Sequence, residues 1–97
     1  MYIGILSVEM SIPYLESIKE RRNVLRSIKD MVKKKFNVSI AEITETEDVT
    51  PSAKIAVAAV SGDASYLQSI LSNVFNMIEN FHPEKIVSYK TDIIDYK

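Results

Sequence analysis

The sequence predicts an α+β domain whose elements follow one another in the order βαββαβ. Four segments alternate apolar with polar residues or are rich in β-branched residues, which is typical of strands. Two longer segments between them repeat apolar residues at helical spacing. That order indicates a ferredoxin-like fold, in which two helices cover one face of a four-stranded antiparallel sheet. We expect the strand order 4-1-3-2, because two right-handed crossovers of this length fit naturally on one face.

The first strand is predicted over residues 2–12, where apolar side chains alternate with polar ones. The side that should face the core carries Tyr2, Leu6, Val8, Met10 and Ile12. Ile3 and Ile5 fall on the opposite side, which is therefore not fully polar near its start. We expect that side to be covered.

Three further segments predict strands. The second strand is predicted in "NVSIAEITE", residues 37–45, and the third in "AKIAVAAVS", residues 53–61. The acidic, proline-containing stretch between them predicts the longest loop. The last strand is predicted in "KIVSYKTDIIDY", residues 85–96, with Val87, Tyr89 and Ile93 in one phase.

The first helix is predicted from a capping box formed by Ser17 and Glu20 to about Phe36. Its apolar stripe consists of Val24, Leu25, Ile28, Met31 and Val32. Asp63 is the predicted cap of a second helix that ends before Pro83. The helical spacing there is carried by Leu67, Ile70, Leu71, Val74, Ile78 and Phe81. The predicted core of the fold includes Leu6, Val8, Leu25, Ile28, Ile55, Val57, Leu71 and Val74.

Length and composition predict one domain over residues 1–97, because 97 residues leave no room for a second core. The chain is 46% hydrophobic and 26% charged, which is typical of a globular protein. It contains no cysteine, a usage that suits a reducing compartment, and we expect a cytoplasmic protein. No segment approaches the ~20 uninterrupted apolar residues of a membrane span, so no membrane partner is expected.

Eight of the twelve Lys and Arg residues fall between residues 17 and 36. Five of them share one flank of the first helix at spacings of three and four, and we call them the basic stripe: Lys19, Arg22, Arg26, Lys29 and Lys33. Sorting like charges onto one flank forgoes the ~0.2 to 0.5 kcal/mol of each opposite-charge pair, which favours a binding role. Three interpretations stay open: contact with phosphates of RNA, contact with an acidic protein, or a solvated face.

Arg21 differs from its neighbours because its position on the helix lies inside the apolar stripe. We expect its stem to pack on the edge of the core while its guanidinium forms a structural ion pair with Glu9 or Glu42 on a strand. Presentation of Arg21 to a bound anion is the alternative.

The segments "SIKERRNVLRSIKDMVKKKFNVSIAE" and "IAVAAVSGD" resemble the YlxP-like family, small bacterial proteins classed as a domain of unknown function. The resemblance spans nearly the whole chain and implies a ferredoxin-like fold and a setting near translation and ribosome maturation. It supplies no established activity. Many members carry an Asp-x-Trp-Gln-(Lys/Arg) segment between the second and third strands. This chain has Asp48-Val49-Thr50-Pro51-Ser52 there and no Trp, so the role of the loop over residues 44–52 does not transfer.

Other kinds of site are poorly supported by the sequence. An RNA-recognition motif stacks bases on aromatics of its central strands, whereas the third strand has none. With one histidine, His82, and no cysteine, we expect no metal and no cofactor. No nucleophile motif and no glycine-rich phosphate loop occurs, so we expect no enzyme.

Two hypotheses for the function follow. The first is a non-enzymatic RNA- or ribosome-associated module that binds through the basic stripe. The second is a protein-interaction or small-ligand regulatory domain that uses its sheet face or second helix, whose outer positions are polar but uncharged. Open apolar surface on so small a domain also predicts a homo-oligomer, most simply a dimer.

Overall fold

A computed structural model describes residues 1–12, 18–43 and 52–97. The elements are β1 (Tyr2–Ser11), α1 (Ile18–Lys35), β2 (Ser39–Ile43), β3 (Ser52–Ser61), α2 (Ala64–Phe81) and β4 (Ile86–Asp95), with a 3-10 turn at Pro83–Lys85 before β4. The strands form one antiparallel sheet in the order β2-β3-β1-β4. This is the predicted order 4-1-3-2 read from the opposite edge, so the predicted ferredoxin-like fold is confirmed.

The core lies between one face of the sheet and the two helices. The register sets Leu6 beside Val57 and Val8 beside Ile55, and all four side chains face the helices. From the helices, α1 contributes Leu25 and Ile28, and α2 contributes a longer buried row. All eight residues predicted for the core are buried. Burying each large aliphatic side chain contributes about 1.5 to 3 kcal/mol, so this layer is the main source of stability.

A glycine lets α2 approach β1 closely. A Cβ atom added to Gly4 would lie 2.9 Å from Leu71 Cδ1 and 3.3 Å from Leu67 Cβ, and both leucines are fully buried. The backbone of Gly4 does not have a positive φ. The glycine is therefore required by the distance between helix and strand and not by an unusual conformation.

The second helix begins at the predicted cap. One carboxylate oxygen of Asp63 accepts hydrogen bonds from the backbone N–H of Ser65 at 2.9 Å and of Tyr66 at 3.4 Å. It also accepts the Ser65 hydroxyl at 2.7 Å. These bonds, the hydroxyl first, hold the pKa of Asp63 below its ordinary value of 3.8. The capping box predicted for α1 lies partly outside the described residues, because Ser17 is not among them.

The phase predicted for β4 was wrong at Val87. The register of β4 against β1 shifts between Glu9, which pairs with Ser88, and Met10, which pairs with Ile86. Val87 is the extra residue of this bulge and is 65% exposed. Ile86 takes the place on the core that simple alternation would give to Val87.

The sheet face away from the helices is partly apolar. Ile3 and Ile5 are half-buried on this face, and Ile3 pairs with Val60 on β3 and with Ile94 on β4, both exposed. No described element packs over it, so the expected cover is not part of the structure described. The face remains a candidate contact surface.

Candidate nucleic-acid interface

The basic stripe runs along one flank of α1. Four of its five side chains are exposed and Lys29 is half-buried. At 100° per residue, the centre of the stripe lies roughly 110° from the centre of the buried residues Leu25, Ile28 and Val32. At 1.5 Å per residue, the stripe from Lys19 to Lys33 is about 21 Å long. The fold therefore sets five cations in a line on a surface that the core does not use.

The cations of the stripe are not neutralised by described neighbours. The ion pairs Lys85–Glu84 at 3.1 Å and Lys90–Asp92 at 3.5 Å lie on other elements. Within the described ranges, the side chains of the five stripe residues form no hydrogen bond and no ion pair. These side chains are therefore available to contact solvent or a ligand.

A groove of about 730 Å³ lies between α1 and α2 and reaches the edge of the stripe. Met31, Met77 and Phe81 supply its apolar surface, and Arg26, which belongs to the stripe, shares its wall with the cations Lys34 and Lys35. Phe81 is 63% exposed, which corrects its placement in the apolar row of α2. The last turn of α2 extends past Ile78, the final fully buried residue of the helix, so Phe81 reaches the groove and not the core.

The sequence did not identify this groove as a site. Met31 and Phe81 have the spacing of core residues. Periodicity alone cannot show that a helix extends beyond the core on which it packs. The sequence did contain one indication of the groove: Lys34 and Lys35 lie three and four residues after Met31, near the end of α1.

Arg21 is half-buried, and its Nη2 donates a hydrogen bond of 2.6 Å to the backbone carbonyl oxygen of Ser52. This contact ties the first turn of α1 to the start of β3. Of the two predicted carboxylate partners, Glu42 shares the helix-bearing face with Ile40, whereas the register sets Glu9 on the opposite face beside Lys54. The ion pair of Arg21 with either carboxylate stays a prediction.

The other surfaces considered as candidate sites lie on α2, on β1 and on the predicted loop before β3. The uncharged outer positions of α2 are all exposed: Ser65, Gln68, Ser69, Ser72, Asn73 and Asn76. Tyr2 packs against the core, so it is not presented as a stacking platform on the open sheet face. The predicted acidic loop spans residues 44–52, of which 44–51 lie outside the described residues, while Ser52 is the first residue of β3.

His82 is at the end of α2, where its backbone N–H donates a hydrogen bond of 3.0 Å to the Ile78 carbonyl oxygen. Across the three described ranges, no three His, Asp or Glu side chains gather in a way that could hold a metal ion. Neither described helix is long and apolar enough to cross a membrane.

Comparison with known proteins gives a family and a fold. A family profile described as "Protein of unknown function (DUF503)" matches residues 3–91. The uncharacterized protein YlxP of Bacillus subtilis is 37% identical over 79 residues, which are 81% of this chain and 85% of the relative.

Two solved structures illustrate the likeness in fold. A dimeric protein of unknown function and ferredoxin-like fold from Bacteroides fragilis aligns with a TM-score of 0.62 at 10% identity, over 98% of this chain and 96% of that chain. A C-terminal segment of the alpha subunit of aIF2 from Pyrococcus abyssi aligns with a TM-score of 0.55 at 13% identity, over 98% of this chain and 51% of that chain. At such low identity these likenesses show the fold alone.

Proposed function

This chain belongs to the DUF503 family of proteins of unknown function, and from that premise we propose that it is a non-enzymatic RNA- or ribosome-associated module that binds through the basic stripe of α1. One observation carries the proposal: five cations lie in a line on one flank, away from the core, and their side chains form no hydrogen bond or ion pair with described residues. Lysine and arginine side chains in such a line can contact successive phosphates.

The proposed contact is with the phosphate backbone and not with bases. Because the surface that the stripe offers is cationic and carries no aromatic residue, its affinity should depend strongly on salt and weakly on sequence. If all five cations displace counterions from a duplex, log affinity should fall against log salt with a slope no steeper than about −4 to −4.5.

The first test removes two contacts from the stripe. Arg22 and Lys33 are both exposed and neither lines the groove. Changing Arg22→Glu together with Lys33→Glu should weaken binding to a labelled RNA duplex by on the order of tenfold or more at about 0.1 M salt, and flatten the slope by about 1.8. Fluorescence anisotropy over a salt series measures both quantities.

The matched control changes Lys85→Glu together with Lys97→Glu, which alters the net charge equally but lies outside α1. This control should bind nearly as the parent does. If the stripe variant keeps the circular dichroism spectrum, affinity and slope of the parent, α1 is only a solvated face and the proposal fails. Equal losses in both variants would indicate a general effect of net charge.

A second candidate function rests on the open sheet face. Exposed Val60 and Ile94 beside Ile3 form an apolar patch that a protein-interaction domain could use. Pull-down from a lysate with and without nuclease separates the two candidates. The RNA module predicts ribosomal partners that disappear after nuclease treatment, and the interaction domain predicts partners that persist.

A further inference from the structure

The outer edge of β4 is long, and no described strand pairs with it. β4 is the last strand of the sheet and spans ten residues. It carries exposed Val87, Tyr89 and Ile94, at 65%, 58% and 45%, and contains no proline. The opposite edge strand, β2, comprises five described residues. An edge of this length and composition is a template for pairing with another strand.

The hydrogen bonds at the end of β4 show which of its backbone groups point outward. Met1 and Tyr96 exchange two backbone bonds, Tyr96 N–H to the Met1 oxygen at 2.8 Å and the Met1 amino group to the Tyr96 oxygen at 3.1 Å. In an antiparallel ladder, hydrogen-bonded residue pairs alternate with non-bonded pairs. The pairing of β4 with β1 is regular from Asp95 back to Ser88. The N–H and C=O groups of Tyr89, Thr91 and Ile93 therefore face the free edge.

The charges on β4 are self-complementary in one antiparallel register. Lys90 and Asp92 lie on the same face of the strand, on either side of Thr91. Lys90 Nζ is 3.5 Å from Asp92 Oδ2. We propose that β4 pairs antiparallel with β4 of a second copy of this chain, about a two-fold axis at Thr91. In that register Lys90 of each copy lies opposite Asp92 of the other, and the outward-facing residues 89, 91 and 93 pair with one another.

Neighbouring registers lose this match. An axis at Lys90 sets two lysines opposite each other, and an axis at Asp92 sets two aspartates opposite each other; both arrangements are repulsive. An axis at Tyr89 leaves Lys90 opposite Ser88. The Thr91 register also sets Tyr89 opposite Ile93, and pairs of an aromatic with a β-branched residue stabilise adjacent strands.

Tyr89 is already fixed for this contact. Its ring stacks on that of Phe75 with centroids 3.9 Å apart and an interplanar angle of 28°. A side chain held in place in the single copy loses less conformational freedom on association.

The two-fold axis would be perpendicular to the sheet, so the assembly would be an eight-stranded sheet with all four helices on one face.

The decisive experiment uses two single variants, separately and mixed. Lys90→Asp makes the edge acidic at both positions, and Asp92→Lys makes it basic at both. Each variant alone should dimerise at least about tenfold more weakly than the parent, because both facing pairs between positions 90 and 92 then carry like charges. An equimolar mixture should recover dimers, since each acidic edge then meets a basic one. Sedimentation velocity over a concentration series measures both results.

The mixture also removes a purely intrachain explanation. Each variant breaks the Lys90–Asp92 ion pair within its own strand, and mixing does not restore that pair. Recovery of dimers in the mixture therefore reports contact between copies. A parent that is monomeric at about 100 µM overturns the proposal, as does a dimer that neither variant weakens, which would indicate the open sheet face instead.

A cross-link tests the register. The chain has no cysteine, so Thr91→Cys introduces a single thiol. A hydrogen-bonded antiparallel pair has Cα atoms about 5.5 Å apart, within the range for a disulfide. Oxidation should give covalent dimers of this variant and far fewer of the matched control Ser88→Cys, whose two copies would lie roughly 20 Å apart. Equal cross-linking of both variants contradicts the Thr91 axis.

Discussion

Gly4 and Gly62 are the two glycines of the chain, and they have opposite surroundings. A Cβ atom on Gly4 would enter the contact between β1 and α2, whereas a Cβ atom on Gly62 would meet no atom within 4 Å. Neither glycine has a positive φ, so the backbone tolerates alanine at both positions. The pair therefore separates the effect of packing from the effect of backbone freedom.

Gly4→Ala should lower the free energy of unfolding by about 1 to 3 kcal/mol, because the Leu67 Cβ at 3.3 Å belongs to a helix that must move to admit a methyl group. Gly62→Ala should leave stability unchanged or raise it by up to ~1 kcal/mol, because it only restricts the unfolded chain. Urea unfolding measures both values. Equal stability of the two variants would show that α2 yields to the extra methyl group at little cost.

At the scale of the element, α2 depends on a charged cap at its start. Residues 64–78 of this helix carry no charge, so the Asp63 carboxylate is the charge that faces the positive, N-terminal end of the helix dipole. The hydrogen bonds to its carboxylate lower its pKa in the folded state. A carboxylate with a lowered pKa stabilises the fold above its unfolded pKa and loses that effect as the pH falls through the folded value.

Asp63→Ala should lower Tm at pH 7 by roughly a few degrees, because two backbone N–H groups lose their acceptor. Asp63→Asn keeps an acceptor without the charge and should fall between parent and alanine variant. The difference in Tm between parent and Asp63→Ala should narrow once the pH falls below the ordinary value of 3.8. Thermal unfolding followed by circular dichroism from pH 3 to 7 tests this, and a difference that is constant with pH would contradict it.

Local patterns predicted the elements well and failed where distant segments decide the outcome. Leu25 and Ile28 follow from helical spacing, and the basic stripe follows from the same spacing. Val87 could not be assigned from β4 alone, because the bulge arises from pairing with β1. The acceptor for Arg21 is a backbone carbonyl on β3, which no residue type encodes. The direction of the free backbone groups on β4 likewise depends on the paired register.

At the scale of the whole molecule, the two proposed binding surfaces are separated. α1, which carries the basic stripe, packs chiefly on β2, while α2 packs chiefly on β1. β2 and β4 are opposite edges of the sheet. In the proposed dimer the stripes would therefore lie toward the two outer ends, and dimer formation would not compete with RNA for the same residues. The Lys90→Asp variant can thus lose dimers while keeping the affinity of the stripe for a short duplex.

The bulge at Val87 also determines where the chain can change in length. Ile86 and Ser88 pair with the adjacent residues Met10 and Glu9, so removing Val87 would join two parts of the ladder already in register. We expect its deletion to cost less than about 1 kcal/mol in urea unfolding, whereas deleting Thr91 should cost several, because the residues on one side of the gap must exchange faces. Comparable losses for both deletions would contradict this expectation. Related chains should therefore gain or lose a residue in β4 at this point, and leave the spacing from Tyr89 to Ile93 unchanged.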